Sequence, residues 1–267
     1  MDVAEVNGTS IAFEQRGDGG LSFVFVHGWA CDRTFWQPQF DDLSRDHRCL
    51  AIDMRGCGGS PAFGPYDTTT QADDVAAIIR TLGLGPSIIV GHSLGGLTAL
   101  LINDRHPDVV LGIVLGDSPL RAAAAGSWPG RVEAIRAAGS MEPVTRTVES
   151  FFVHSTPPAV AEHARSVMLS CDADVGAGML DNGGVFVERL DELIRTADQK
   201  PLMAIWAARP LGDPAHLRDL AMFIRQEPIA GAGHFFQLEQ PAVTNALLRA
   251  FVDDVQRDPR TGAMANG

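Results

Sequence analysis

Apolar residues along the chain follow two alternating periods. Leu21 to Val26, Ile88 to Val90, Val110 to Leu115 and Pro201 to Trp206 are short, nearly unbroken apolar runs, the pattern of strands buried on both faces. Arg48 to Ile52 and Gln226 to Ile229 read as further strands. Between them the spacing turns helical. Ala72, Val75, Ile78, Ile79 and Leu82 mark one face of a helix over 71–84, and 35–44, 94–104, 215–222 and 241–255 read the same way. At the start, Val3 to Val6 and Ile11 to Phe13 flank Asn7-Gly8, a hairpin signal. Strands that alternate with helices predict a parallel sheet covered on both faces. The rhythm stops at Pro119; from Leu120 to Gln199 the chain is helical and Ala-rich, with no strand. The expected architecture is α/β, with a mostly parallel sheet flanked by helices. Residues 1–118 and 200–256 form its core and 119–199 a helical insertion, while the Gly- and Asn-containing tail, 257–267, is expected to be disordered.

The bulk properties narrow the function. The 267 residues carry a net charge of −12, which disfavours nucleic acid and anionic membranes as partners. Met1 to Glu5 has neither a basic nor an apolar signal region, and no apolar stretch reaches the length of a membrane span. Cys31, Cys49, Cys57 and Cys171 lack metal-type spacing and read as free thiols of a reducing cytoplasm. No metal or other cofactor is expected, the partner is a small-molecule substrate, and the oligomeric state is open.

The chemistry concentrates at Gly91-His92-Ser93-Leu94-Gly95, between an apolar strand and a helix. A serine on such a turn presents its hydroxyl outward, and small neighbours give it room. The N–H of Leu94, opening the helix, points at an oxyanion formed by attack of Ser93 on a carbonyl. A serine hydroxyl needs a base, and the base an orienting acid. His234, in the loop Gly231-Ala232-Gly233-His234, is the base candidate. Two acids compete. Asp117 ends the strand beyond Ser93 and is the better placed; Asp213 lies several residues into the loop after Trp206. The second oxyanion donor is expected from His27-Gly28-Trp29-Ala30, with Trp29 supplying the N–H. His27, His92, Trp36, Trp128, Phe151, Phe152, Met179 and Phe235 are candidates for the pocket wall, although His27 and His92 equally suit structural hydrogen bonds. Asp53 and Arg55 suit a structural role in the loop they share.

With these motifs in this order, joined by Asp53-Met54-Arg55-Gly56-Cys57-Gly58-Gly59-Ser60, the chain resembles the α/β-hydrolase superfamily, in its group with a helical cap, from Val3 to about Val255. Many members carry their acid close to the end of the strand after the cap. Ala208, Arg209 and Pro210 stand there, which favours Asp117, the location that some members use. The resemblance implies a serine esterase or lactonase with a Ser93–His234–Asp117 triad, acting on a small, fairly apolar carboxylic ester or lactone. It also leaves a cofactor-free ring-cleaving dioxygenase or a C–C bond hydrolase on the same fold, though such dioxygenases have histidine where Cys31 stands. A triad-containing ligand receptor with little turnover is a further alternative. Dehalogenase and epoxide hydrolase chemistry is disfavoured, since those members have aspartate in place of Ser93.

Overall fold

The computed structural model describes residues 1–182 and 184–261. Asn7 and Gly8, with φ of 48° and 74°, turn the chain between β1 (Asp2–Val6) and β2 (Thr9–Arg16). Positive φ at both central residues is the twist that a tight hairpin needs. There follow β3 (Ser22–Val26), α1 (Gln37–Leu43), β4 (Arg48–Ile52), α2 (Thr68–Thr81), β5 (Ser87–His92), α3 (Leu94–Arg105) and β6 (Val110–Gly116). The chain then runs through α4 (Ala122–Gly126), α5 (Trp128–Ala138), α6 (Thr145–Ser150), α7 (Pro158–Leu169), α8 (Ala173–Leu180), α9 (Val185–Glu188) and α10 (Leu190–Ala197). It closes with β7 (Leu202–Trp206), α11 (Pro214–Leu220), β8 (Arg225–Pro228), α12 (Phe236–Glu239) and α13 (Pro241–Arg257).

The eight strands form one sheet in the order β1-β2-β4-β3-β5-β6-β7-β8. β2 is antiparallel to both β1 and β4, and the pairs from β4 to β8 are parallel. Successive side chains of a strand point to opposite faces, and each face has its own core. Phe23 and Phe25 pack on one side with Trp36, Phe40, Leu248 and Phe251. Val24 and Val26 pack on the other with α2, α3 and apolar residues of the helical segment. α3 is buried from Leu94 to Asn103, as a helix apolar on every side must be. α13 buries one stripe, Thr244, Leu248, Phe251, Val252 and Val255.

The tail departs from expectation as far as it is described. The helix continues to Arg257, Arg260 Nη1 donates to the Asp198 carbonyl at 2.6 Å, and the Thr261 hydroxyl donates to the Val255 carbonyl at 2.9 Å. These bonds tie 257–261 to the body; residues 262–267 of the expected disordered tail lie outside the described residues. Among the described residues no helix is long and apolar enough to cross a membrane.

Candidate active site

The turn between β5 and α3 is held open by glycines on three sides. A Cβ at Gly91 would collide with the Gly95 carbonyl, and one at Gly95 with the carbonyls of Val26 and His27. At Gly96 it would meet the Ser118 hydroxyl. The turn therefore nests against the end of β3 and the loop after β6. Ser93 adopts φ 54° and ψ −120°, a conformation that L-residues rarely occupy and that costs on the order of 1–3 kcal/mol. Its N–H donates to the Gly116 carbonyl at 2.7 Å, tying the turn to the end of β6.

The next residue, Asp117, is also left-handed, with φ 39°, and its N–H donates to the Ile205 carbonyl of β7 at 2.7 Å. Its carboxylate is fully buried. Oδ2 lies 2.7 Å from His234 Nδ1, and Oδ1 accepts from the N–H groups of Ala207 and Leu211 at 3.3 and 3.2 Å. The loop after β7 thus lacks an acid near the strand end and instead gives two backbone donors to Asp117. Asp213 sits elsewhere, capping α11 by accepting from Ala215 and His216 N–H at 3.1 Å each. It makes no bond to His234.

With Nδ1 engaged by Asp117, the free ring nitrogen of His234 is Nε2. The ring lies between those of Phe151 and His92, tilted to both, at centroid distances of 4.4 and 4.5 Å. The His234 N–H donates to the Phe151 carbonyl at 3.0 Å, which fixes the loop to the helical segment. His234 and Ser93 line one cavity of about 220 Å³. Among the described residues the Ser93 hydroxyl makes no hydrogen bond.

The loop after β3 approaches from the other side. A Cβ at Gly28 would stand 3.2 Å from Ser93 Cβ and 3.0 Å from His92 Nδ1, a tight fit, so glycine brings this loop close to the serine. Ala30 is a third left-handed non-glycine residue at this end of the sheet, with φ 53°. Neither the Trp29 N–H nor the Leu94 N–H donates to another group among the described residues. The Trp29 indole Nε1 donates to the Gly176 carbonyl of α8 at 2.7 Å, pinning the helical segment over this loop.

The candidates for the pocket wall divide. His92, Trp128, Phe151 and Phe235 line the cavity; His27, Trp36, Phe152 and Met179 do not. His27 is buried behind it, donating from Nδ1 to the Gly28 carbonyl and accepting the Met54 N–H at Nε2. Trp36 belongs to the core on the far side of the sheet and donates to the Val26 carbonyl. Met179 packs against Cys57 and Phe152 against Phe235. His92 Nε2 donates to the His234 carbonyl at 2.8 Å, while its buried Nδ1 has no partner among the described residues. Burial, then the neighbouring His234, holds the His92 imidazole well below the ordinary histidine value, so it is neutral. Cys31 also lines the cavity; burial raises its thiol well above the usual range and keeps it protonated. Asp53 accepts from the N–H groups of Arg33 and Gly59, and the Arg55 guanidinium is paired with Asp74 at 2.6 and 2.8 Å, so this loop is tied down by its own charges. Among the wall residues that the sequence did not single out, the charged one is Arg131, on α5.

The model of the alpha/beta hydrolase family matches residues 23–247, most of the chain. The chain belongs to the alpha/beta hydrolase family. Among curated relatives, a 2-(acetamidomethylene)succinate hydrolase of Mesorhizobium japonicum is 34% identical over 115 residues, 42% of this chain and 41% of that protein. A pimeloyl-[acyl-carrier protein] methyl ester esterase of Neisseria meningitidis is 38% identical over 112 residues, 42% of each. These matches thus span about two fifths of the relatives' length. A thermophilic esterase of Thermogutta terrifontis, solved with malate bound, superposes with a TM-score of 0.82 at 26% identity, covering 95% of this chain and 97% of that chain.

Proposed function

We propose that this hydrolase cleaves a small carboxylic ester or lactone through an acyl-enzyme on Ser93. One observation carries the reading: a serine on a strained turn shares a small cavity with an imidazole whose far nitrogen is 2.7 Å from a buried carboxylate. Ser93 Oγ attacks the substrate carbonyl carbon and its proton passes to His234 Nε2. The carbonyl oxygen becomes an oxyanion and accepts the unspent N–H groups of Trp29 and Leu94. As the tetrahedral adduct collapses, the carbon–oxygen bond to the leaving group breaks, and the alkoxide takes the proton from His234. Water then attacks the acyl group, His234 receives its proton, and Ser93 is released as the hydroxyl. Asp117 keeps the proton on Nδ1 and stabilises the imidazolium in both halves. Helices α4 to α8 act as a cap that excludes bulk water. The esterases among the family relatives support the same reaction class.

The test is a panel of p-nitrophenyl esters and lactones with wild type and Ser93→Ala, together with a phosphonate probe. Wild type should turn over short esters and take one phosphonyl group on Ser93. Ser93→Ala should lose both, with a fall in kcat on the order of 10⁴ to 10⁶. A Ser93→Ala protein that hydrolyses at the wild-type rate would sink the mechanism.

A further inference from the structure

The cavity that holds Ser93 and His234 contains one strong charge without a partner. Arg131, at the fourth position of α5, lies in its wall, partly buried. Among the described residues it makes neither an ion pair nor a hydrogen bond, whereas most of the other partly buried arginines are paired: Arg33 with Asp53, Arg249 with Asp42 and Asp46, Arg225 with Glu227 and Asp254. Desolvation alone acts on it, lowering the guanidinium from its usual value, with no carboxylate near enough to offset the loss. The face of the Trp29 indole lies 5.8 Å from the guanidinium carbon. A cation over an aromatic face recovers about 0.5–2 kcal/mol, less than a desolvated charge loses.

The lining has no aspartate or glutamate; its other polar side chains are neutral hydroxyls, such as Ser127, Thr147 and Ser150, and the two histidines. A guanidinium that forgoes ion pairing, in a cavity without acids, on a protein of net charge −12, is a vacant anion partner. We propose that Arg131 binds a carboxylate on the substrate, so that the preferred ester or lactone carries a free carboxylate beside its scissile carbonyl chain. This rests on the ester-hydrolase reading for Ser93 and adds the substrate class to it. A monoanion fits better than a phosphate dianion, because one guanidinium and neutral hydroxyls balance a single charge. The cavity, about 220 Å³, limits the acid to a short chain. Arg131 is here a specificity residue.

The experiment compares p-nitrophenyl hydrogen glutarate with p-nitrophenyl butyrate, and glutarate binding by calorimetry, across Arg131 variants whose folding is checked by thermal unfolding. Wild type should favour the glutarate ester. Arg131→Gln should lower the ratio of kcat/KM for the glutarate ester to that for the butyrate ester on the order of 10- to 100-fold. Arg131→Lys should recover part of the ratio. Glutarate should bind the Ser93→Ala protein and lose tenfold or more in affinity when Arg131→Gln is added. An unchanged ratio, or equal glutarate affinity with and without Arg131, overturns the proposal. If wild type hydrolyses neither ester, the reading of Ser93 fails, while glutarate binding still decides the role of Arg131.

Discussion

Asp117 shows how one residue can serve two masters at a strand end. Its left-handed backbone, φ 39°, turns the chain out of β6, and its carboxylate is then aimed at His234 Nδ1. Left-handed non-glycine residues are uncommon, and among the described residues three of the four, Ala30, Ser93 and Asp117, sit where loops leave β3, β5 and β6 for the cavity. At Ser93 and Asp117 the strain is offset by bonds that over-determine the turn: Ser93 N–H to Gly116, Asp117 N–H to Ile205, and two donors on Asp117 Oδ1. Asp117→Asn keeps the shape, but its amide can donate to Nδ1 and favour the wrong tautomer. Its kcat on a p-nitrophenyl ester should fall on the order of 10⁴-fold. Asp213→Asn retains the helix cap and should stay within a few-fold of wild type; the reverse pattern in steady-state assays would move the acid to Asp213. Ser93, Asp117 and His234 were visible in the sequence because each ends an apolar strand or sits among glycines. Arg131 was not, because a charge in a helix reads as solvated surface. Its signal was its company: Trp128, Val132 and Ile135 make the buried stripe of α5, and Arg131 is one turn from Trp128 on that side. Trp36 erred the other way, since an aromatic residue does not say which face of the sheet it joins.

At the scale of elements, periodicity located the strands and longer helices, and what it blurred were their ends. α2 begins at Thr68, three residues before the expected Gln71, because Asp67 caps it, accepting the Thr70 N–H at 3.0 Å. α12 is a single turn after His234, too short for any period to register. How the helical segment partitions space was not legible either, because it depends on packing between helices distant in sequence. Trp128 and Leu180, from α5 and α8, line both the cavity at Ser93 and a larger outer groove of about 740 Å³ between α4, α5, α8 and α9. They stand as a wall between the smaller cavity and the larger groove. Leu180→Ala should breach it, moving the best p-nitrophenyl ester from a short to a longer acyl chain. Removing this buried leucine should cost about 2–5 kcal/mol in urea unfolding. A chain-length optimum unchanged from wild type would place the limit elsewhere.

Over the whole molecule, the site is built on imidazoles kept out of water, and that has a consequence for stability. His27 and His92 are both buried, and desolvation lowers each below its ordinary value, most strongly for His92, whose charged form would face His234 and His27. In the unfolded chain both take up a proton near pH 6.5. Below that pH the unfolded state binds protons that the folded state refuses, so unfolding becomes easier as pH falls. The contribution is fully present above pH 6.5 and is lost progressively below it. Paired carboxylates such as Asp46 and Asp73, held below their usual range by arginine, begin to destabilise only at lower pH. The net charge of −12 acts in the opposite sense, since acid relieves self-repulsion, so the wild-type slope alone mixes causes. The difference between two proteins does not. His92→Gln removes one proton site and leaves the surface charge at neutral pH as it was. Between pH 6.5 and 5.5 its unfolding free energy in urea should fall less than that of wild type, by about 1.4 kcal/mol per pH unit at most. Parallel curves for the two proteins would mean that folded His92 takes up its proton as readily as the unfolded chain does. The ring against His234 would then be a cation at mildly acid pH.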